Sequence, residues 1–516
     1  GDIVYRFINE LKDIYQKSEP KKKEEKTTPL SKSLDENTAI LEKRFDKSAD
    51  LTIHKMTLNG IRFGIITIEG MVNKEILAFG VIRPVSNESY EGTPEEAFRK
   101  ISDTVLCTSE QIEIATIEDV DRFIMSGFAV VAVDGYAKML ALGIQGFSFR
   151  SVSEPDSDVV QRGSKEGFVE PLRINMSLIR RRMKTPKMKF ETMTIGSESK
   201  TDICLCYMTD IVSPSILRKL KKRLNSINLK TVMASGYIAP YLEQKGDFSF
   251  FSGVGISERP DTVCGKISEG RIAILVDGTP SALIVPFLFV EYFQTLDDYS
   301  NRAYFATFTR WLKYIAFFIA IMLPGVYVAV GSFHPELFPS QLLGKIAGSI
   351  AATPMPLGVE TIVIHFVYEI MREAGLRMPQ PLGHAVSIVG ALVIGETAVN
   401  AGLIGAPTLM VVALTAICSY VIPSLYAPTA VLRFLFIIAG SFLGIWGVML
   451  LFCMVLVNIC GKKSFDIPYT APVSPFSMTA MRDVFVRAGW KLLSKSTSTI
   501  QSMPGTEIQG SDDDDD

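Results

Sequence analysis

The sequence predicts an α/β protein joined to an α-helical membrane domain: two tandem α/β subdomains on the cytoplasmic side, then a multi-span helical region. Three observations carry this. Residues 1–300 mix charge and apolar residues as soluble domains do, whereas 311–460 hold few charges and several long apolar runs. Two stretches can be laid over each other, "IMSGFAVVAVDGYAKMLAL" from Ile124 and "ISEGRIAILVDGTPSALIV" from Ile267. The apolar runs approach or exceed the roughly 20 residues that cross a bilayer as helix.

Taken in order, residues 1–50 read as a variable, disordered tail, and the opening on Gly1 reads as a trimmed start. "GDIVYRFINELKDIYQKSEPKKKEEK" lacks the apolar centre of a signal peptide. Subdomain one is expected over 51–155 and subdomain two over 168–300, with the polar segment 156–167 as linker. In each, Gly precedes an apolar strand, then Val-Asp-Gly, then a second strand; Asp-Gly suits a tight hairpin turn because Gly accepts positive φ. Upstream, "GIITIEGMVNKEIL" and "CLCYMTDIVSPSIL" share strand, acidic turn and helix start. The offset is 141 residues at Glu69/Asp210 (210 less 69) and 143 at Asp134/Asp277 (277 less 134), which suggests a duplication. "SPSILRKLKKRLNSI" reads as an amphipathic helix with Ser213 as cap, Pro214 first, and Ile216, Leu217, Leu220 and Leu224 inward.

The chemistry this leaves out is informative. A net charge of −2 argues against a nucleic-acid binder. Seven cysteines, at 107, 204, 206, 264, 418, 453 and 460, form no Cys-x-x-Cys pair and read as reduced thiols. The histidines at 54, 334, 365 and 384 form no metal motif, and Gly253-Val-Gly255 lacks the third glycine of a nucleotide loop. No catalytic group, metal or cofactor is assigned.

The transmembrane domain is expected over 301–460 with about four full spans: 311–332, 346–371, 384–422 and 428–460. The third is long enough that five or six crossings stay open. The run 282–293 is expected to finish a hairpin and lie at the interface. Arg302, Arg310, Lys313, Arg372, Arg377, Lys462 and Lys463 flank the span ends and place the termini in the cytoplasm. Residues 461–516 then form a cytoplasmic segment with an acidic tail.

Glu396 and Asn400 lie one turn apart in the middle of "PLGHAVSIVGALVIGETAVNAGLIGAP" (381–407). At about 100° per residue, Gly383, Ser387, Ala391 and Gly395 gather on a small-residue face suited to close helix packing. Val389, Val393, Glu396 and Asn400 gather roughly half a turn away. Facing lipid, a central acid costs about 3 kcal/mol, so this face looks at protein or water. Two readings stand. Glu396 pairs within its own chain, with His365 or Arg433; or copies of the helix surround an aqueous path gated by Val389 and Val393. His365, Glu369 and Arg372 share a face and suggest a local polar network. A secondary transporter with a regulatory domain, a non-conducting scaffold and a membrane-anchored enzyme are the other classes.

The blocks "EGFVEPLRINMSLIRRRMKTPKM", "SERPDTVCGKISEGRIAILVDGTPSALIVPFLFVEYFQTLDDY", "MREAGLRMPQPLGHAVSIVGALVIGETAVNAG" and "VVALTAICSYVIP" together resemble the A subunit of GerA-family spore germinant receptors over roughly 160–480. Its signature positions are Glu258, Arg259, Pro260, Asp261, Glu269, Gly270, Arg271, Asp277 and Gly278, expected as structural or interface residues. The resemblance implies an integral protein of the endospore inner membrane. It also implies a homo-oligomer, expected as a pentamer, whose pore releases monovalent cations when nutrient binds. A transporter-like B subunit that binds the nutrient and a lipoprotein C subunit are the implied partners, with membrane lipids around them and no enzymatic step. Many relatives carry Gln where this chain has Glu396.

Overall fold

Alternating apolar residues and glycine-bearing turns build hairpins, and hairpins build both sheets of this chain. The computed structural model describes residues 28–90, 92–106, 110–146, 155, 158, 160–244, 249–378, 395–493 and 499–506. The chain divides into two units, one of residues up to Arg44 with Leu51–Gly146, the other of Phe45–Asp50 with the chain beyond Gly146.

The first unit runs α1 (Leu34–Arg44), β1 (Leu51–Leu58), β2 (Ile61–Ile68), α2 (Ile76–Asn87), α3 (Pro94–Lys100), β3 (Gln111–Ile114), α4 (Ile117–Ile124), β4 (Phe128–Val133) and β5 (Met139–Gly143). Its strands lie in the order β1-β2-β4-β5-β3, every neighbour antiparallel. Asn59 and Gly60 turn β1 into β2, both at positive φ, as a primed two-residue turn requires. α2 and α3 cover one face of the sheet, burying Val81, Val85 and Phe98 on Phe63, Ile65 and Val131.

The second unit opens with α5 (Leu172–Arg182), β6 (Met188–Ile195), β7 (Thr201–Met208), α6 (Pro214–Asn225), β8 (Gly255–Ser257), α7 (Pro260–Ser268), β9 (Ile272–Val276) and β10 (Ala282–Val285). The strand order is β6-β7-β9-β10-β8, the first sheet's order repeated strand for strand. The repeat extends to single hydrogen bonds. Asp134 accepts from the Leu34 amide (2.8 Å) and the Gly135 amide donates to Lys32 O (2.8 Å). In the second unit Asp277 accepts from the Leu172 amide and the Gly278 amide donates to Glu170 O, both at 2.9 Å. Asn37 and Asn175 likewise each clamp the backbone six residues upstream through both amide atoms. Each Asp-Gly turn thus caps the first helix of its own unit, satisfying amides that the helix start leaves open.

That pairing corrects the expected tail. Residues 34–44 form α1, the counterpart of α5, with Leu34 and Leu41 buried. Residues 45–50 join the second unit, where Arg180, fully buried, holds Asp50 through Nε (2.7 Å) and Nη2 (2.9 Å). The low-apolar, charged start of the sequence hid a helix anchored by long-range contacts.

α5 and α7 cover one face of the second sheet, over Cys204, Cys206 and Leu275. Both thiols lie on that face as the alternation predicts, and burial, then the neighbouring Cys204 thiol, push Cys206 well above its ordinary range. α6 covers the other face with Ile216, Leu220 and Leu224, joined there by Phe465, Ile467, Val484 and Ile500 from the far end of the chain.

The helical part comprises α8 (Ala303–Phe333), α9 (Ser340–Ala351), α10 (Leu357–Arg377), α11 (Ala406–Tyr420) and the run Tyr426–Gly461. The last run is not one rod. Gly444 has φ 61° and ψ −146°, and a Cβ on Gly447 would stand 2.4 Å from Ala439 O, so the chain doubles back. We therefore divide it into α12 (426–443) and α13 (445–461).

Contacts fix the direction of every pass. α8 leads away from the second sheet, and its end, Phe333, packs on Gly444. α10 comes back, from Leu357 beside Gly331 to Glu369 beside Arg433. Gly402 stands at the far end, beside Ala352 O, and α11 returns from Thr408, bonded to Tyr327, to Ser419, bonded to Arg433. α12 leads away past the Gly325–Gly440 contact, where a Cβ on Gly440 would lie 2.4 Å from Gly325 O. α13 returns past Phe318 with Phe452, ring centroids 6.3 Å apart. Among the described residues that makes five passes: α8, α10, α11, α12 and α13. Two expected spans changed for local reasons: Pro354 and Pro356 break 346–371 between α9 and α10, and Gly444 halves 428–460. Among the described residues, Ala303–Phe333 and Pro423–Gly461 are the stretches long and apolar enough to cross a membrane.

Candidate functional site

The candidate site begins at Gly395. A helical turn runs through Asn400, and Gly402, at φ 65°, ends it. The Leu403 amide reaches Ala398 O and the Gly402 amide reaches Val399 O, both at 3.0 Å, the paired bonds of a glycine-ended helix. Gly395 is buried; a Cβ there would meet Leu409 Cδ2 of α11 at 3.2 Å. Glu396 and Asn400 are exposed on the isolated chain. Val389, Val393, Gly383, Ser387 and Ala391 lie outside the described residues.

Neither partner considered for Glu396 reaches it. Arg433, fully buried, donates to Ala320 O (3.1 Å), to Ser419 Oγ and to Glu369 Oε1 (3.3 Å). Tyr426 donates its hydroxyl to Glu369 Oε2 at 2.6 Å, and the Arg372 guanidinium lies 3.3 Å from the centre of the Tyr426 ring. His365 is buried beside Phe434, with neither ring nitrogen bonded to a described residue. Glu369 and Arg372 thus belong to a local polar network tied to Arg433, and neither His365 nor Arg433 reaches Glu396.

A residue the sequence reading passed over seats the segment. Glu360, fully buried in the first turn of α10, accepts from the Gly405 amide (2.9 Å) and from the Thr353 hydroxyl (3.2 Å). Gly405 has no room for a side chain, since a Cβ would stand 2.5 Å from Ser349 Oγ. An acid inside the apolar run 357–371 was a visible signal, because such a group needs donors to be buried at all. Glu360 fixes the turn through which Asn400 joins α11.

A second cluster ties the α/β part of this unit to the bundle. Glu291, in the turn after β10, is buried with Arg271 (2.7 Å) and Lys266, and accepts from the Leu288 amide (2.7 Å). Burial alone would raise its carboxyl, but Arg271 and Lys266 hold it below the usual range. One step on, fully buried Arg310 of α8 binds Asp298 (3.0 Å) and Asp483 (2.9 Å), and Lys313 also binds Asp298 (3.1 Å). Asp483 further accepts from the Tyr299 hydroxyl at 2.5 Å, and its backbone O accepts from Gln294 at 2.7 Å. The segment after α13 is stitched through the sheet as well: Ser464 Oγ to Gly253 O (2.9 Å), Phe289 N to Tyr469 O (3.0 Å), Ile500 N to Glu269 O (2.8 Å).

The signature positions surround this joint. The backbone O of Glu258 accepts from Phe168 N (2.7 Å). Arg259, just before α7, grips Asp261 through Nε (3.1 Å) and Nη2 (2.6 Å) and donates to Ser164 O; Pro260 opens the helix. Glu269 pairs with Arg271 behind Gly270, which has φ 90°. Asp277 and Gly278 form the cap described above. Among the described residues, no group of three or more His, Cys, Asp and Glu is placed to hold a metal.

A duplicated α/β fold, whose second sheet is joined by buried ion pairs to an apolar helical bundle, defines the class. The chain belongs to the GerA family of spore germination proteins, whose Bacillus/Clostridium family model matches residues 39–499. It is 38% identical to spore germination protein KA of Bacillus subtilis over 475 residues, 90% of this chain and 87% of that one. It is 35% identical to the B. subtilis membrane protein YfkQ over 512 residues, 99% and 96% of the two chains. The crystal structure of the N-terminal domain of the A subunit of the Bacillus megaterium spore germinant receptor GerK3 aligns at 27% identity over 51% of this chain and 98% of that one, with a TM-score of 0.39.

Proposed function

We propose that this protein is the A subunit of a nutrient germinant receptor in the spore inner membrane. In this reading several copies, five on the family resemblance, form a channel that releases monovalent cations when germinant binds. The B subunit holds the nutrient and the C lipoprotein completes the receptor. The observation that carries the reading is the two-sidedness of 395–400: Gly395 is packed on α11 while Glu396 and Asn400 face outward from an apolar bundle. An acid left to lipid costs about 3 kcal/mol, so a second copy or water covers it, and both are met when the helices ring an axis. Membrane topology follows the passes. The chain enters the bundle and leaves it beside the same sheet, so the number of crossings is even. The relative YfkQ is a membrane protein, which supports the location.

Purified protein in liposomes should pass potassium, and Glu396→Lys should cut cation flux at least tenfold relative to Glu396→Gln, because a ring of positive charge repels what a ring of amides tolerates. Equal flux in both variants would remove Glu396 from the ion path.

A further inference from the structure

We propose that the near end of α8 and the C-terminal segment 484–493 form a collar that sits in the headgroup layer of an anionic bilayer. The proposal rests on the membrane reading above. α8 has 31 residues, about 46 Å of helix at 1.5 Å per residue, against roughly 30 Å of hydrocarbon. Some ten residues therefore overhang. The overhang is at the sheet end, because the uncharged part of α8 is its last 20 residues, Tyr314–Phe333, about 30 Å of helix, whereas Arg310 and Lys313 lie in the turns before it.

The overhanging turns do not look like a helix in water. Tyr304 is 71% exposed, Phe308 59% and Trp311 52%. The C-terminal segment lies alongside: the Arg487 amide donates to Thr307 Oγ1 (3.1 Å), and the Phe485 and Trp311 rings are 6.3 Å apart. Trp490, 60% exposed, stands 6.1 Å from the Tyr299 ring with the Arg487 guanidinium 4.9 Å from its own. Arg302 is exposed at the rim, the acids Asp298 and Asp483 are paired with Arg310 and Lys313, and Asp297 accepts from the Gln161 and Arg162 amides; Arg302, Arg310, Lys313, Arg487 and Lys491 outnumber these acids. The surface is aromatic and net positive. Aromatic rings with a polar edge settle at the membrane–water boundary, and each nearby Lys or Arg adds about 1 kcal/mol toward anionic lipid. A second copy of this chain would bring the same positive rim against this one, so phosphate headgroups are the better occupant.

The chain's three tryptophans, Trp311, Trp446 and Trp490, make the test direct. Full-length single-tryptophan variants, the other two replaced by Phe, are reconstituted into phosphatidylcholine vesicles with or without phosphatidylglycerol. Some of the lipid is brominated near the headgroup or near the chain end. Trp446, 74% exposed beside the Gly444 turn, reports insertion. The collar predicts that Trp311 and Trp490 lose emission to the shallow bromine more than to the deep one, with greater loss when phosphatidylglycerol is present. Quenching of Trp446 without Trp490 would overturn the collar and leave the membrane reading standing. Quenching of none would overturn both.

Discussion

Three glutamates show how one side chain takes different roles from its surroundings. Glu360 is buried and held by two donors, Glu291 is buried between two cations, and Glu396 is exposed on an otherwise apolar bundle. For Glu291 the consequence is measurable. Its carboxyl is held below its unfolded value of 4.5. A depressed carboxyl stabilises the fold above the unfolded pKa, and that contribution disappears as pH falls through the folded one. Acid should therefore loosen the second sheet's packing below about pH 4.5. Glu291→Gln should lower stability by about 3–5 kcal/mol at neutral pH, since Arg271 keeps only the half-exposed Glu269, and should flatten the acid limb. Thermal denaturation against pH checks both; an unchanged acid limb in the variant would assign it to another group. Glu396 and Asn400 could be singled out in the sequence because they interrupt an apolar run at helical spacing. Glu360 interrupts another run equally, but it stands among residues whose neighbours come from 349–353 and 405, and its role depends on that meeting.

The duplicated sheets show which elements a sequence displays and which it hides. Strand alternation and the Asp-Gly turns announced both hairpins, because those signals are local. α1 carried no such signal: it is short and weakly amphipathic, and its identity comes from Asp134, a hundred residues away, capping Leu34. The helical part is the reverse case, where composition announced apolar helix but not its reversals. Gly444 decides one of them. In a straight helix, Gly→Ala stabilises by about 0.5–1 kcal/mol. At φ 61° and ψ −146°, with a Cβ 3.2 Å from Phe333, Gly444→Ala should instead cost about 1–3 kcal/mol. The sign of the change in detergent melting temperature distinguishes a hairpin of two passes from one long rod.

At the scale of the whole second unit, the chain closes on itself. Sheet and bundle are joined at α8, and the segment after α13 returns to fill the same sheet with Phe465, Ile467 and Val484. Asp483 is where these parts converge: its carboxylate holds Arg310 of the first pass and the Tyr299 hydroxyl, and its backbone O holds Gln294. These contacts offer a route by which a movement of the sheet would reach α8, and α8 touches α11 through the Tyr327–Thr408 contact. α11 in turn backs Gly395 through Leu409. Asp483→Asn removes one charge from Arg310 and leaves Asp298 in place, so the loss should be about 1–3 kcal/mol, less than for a guanidinium stripped of every partner. The chain should still fold. If the joint transmits the signal, receptors carrying Asp483→Asn should reach the membrane at normal abundance yet open with a weakened response to germinant, while the unstimulated leak stays unchanged. A full response at normal abundance would mean that the ion pairs hold the parts together without conveying anything between them.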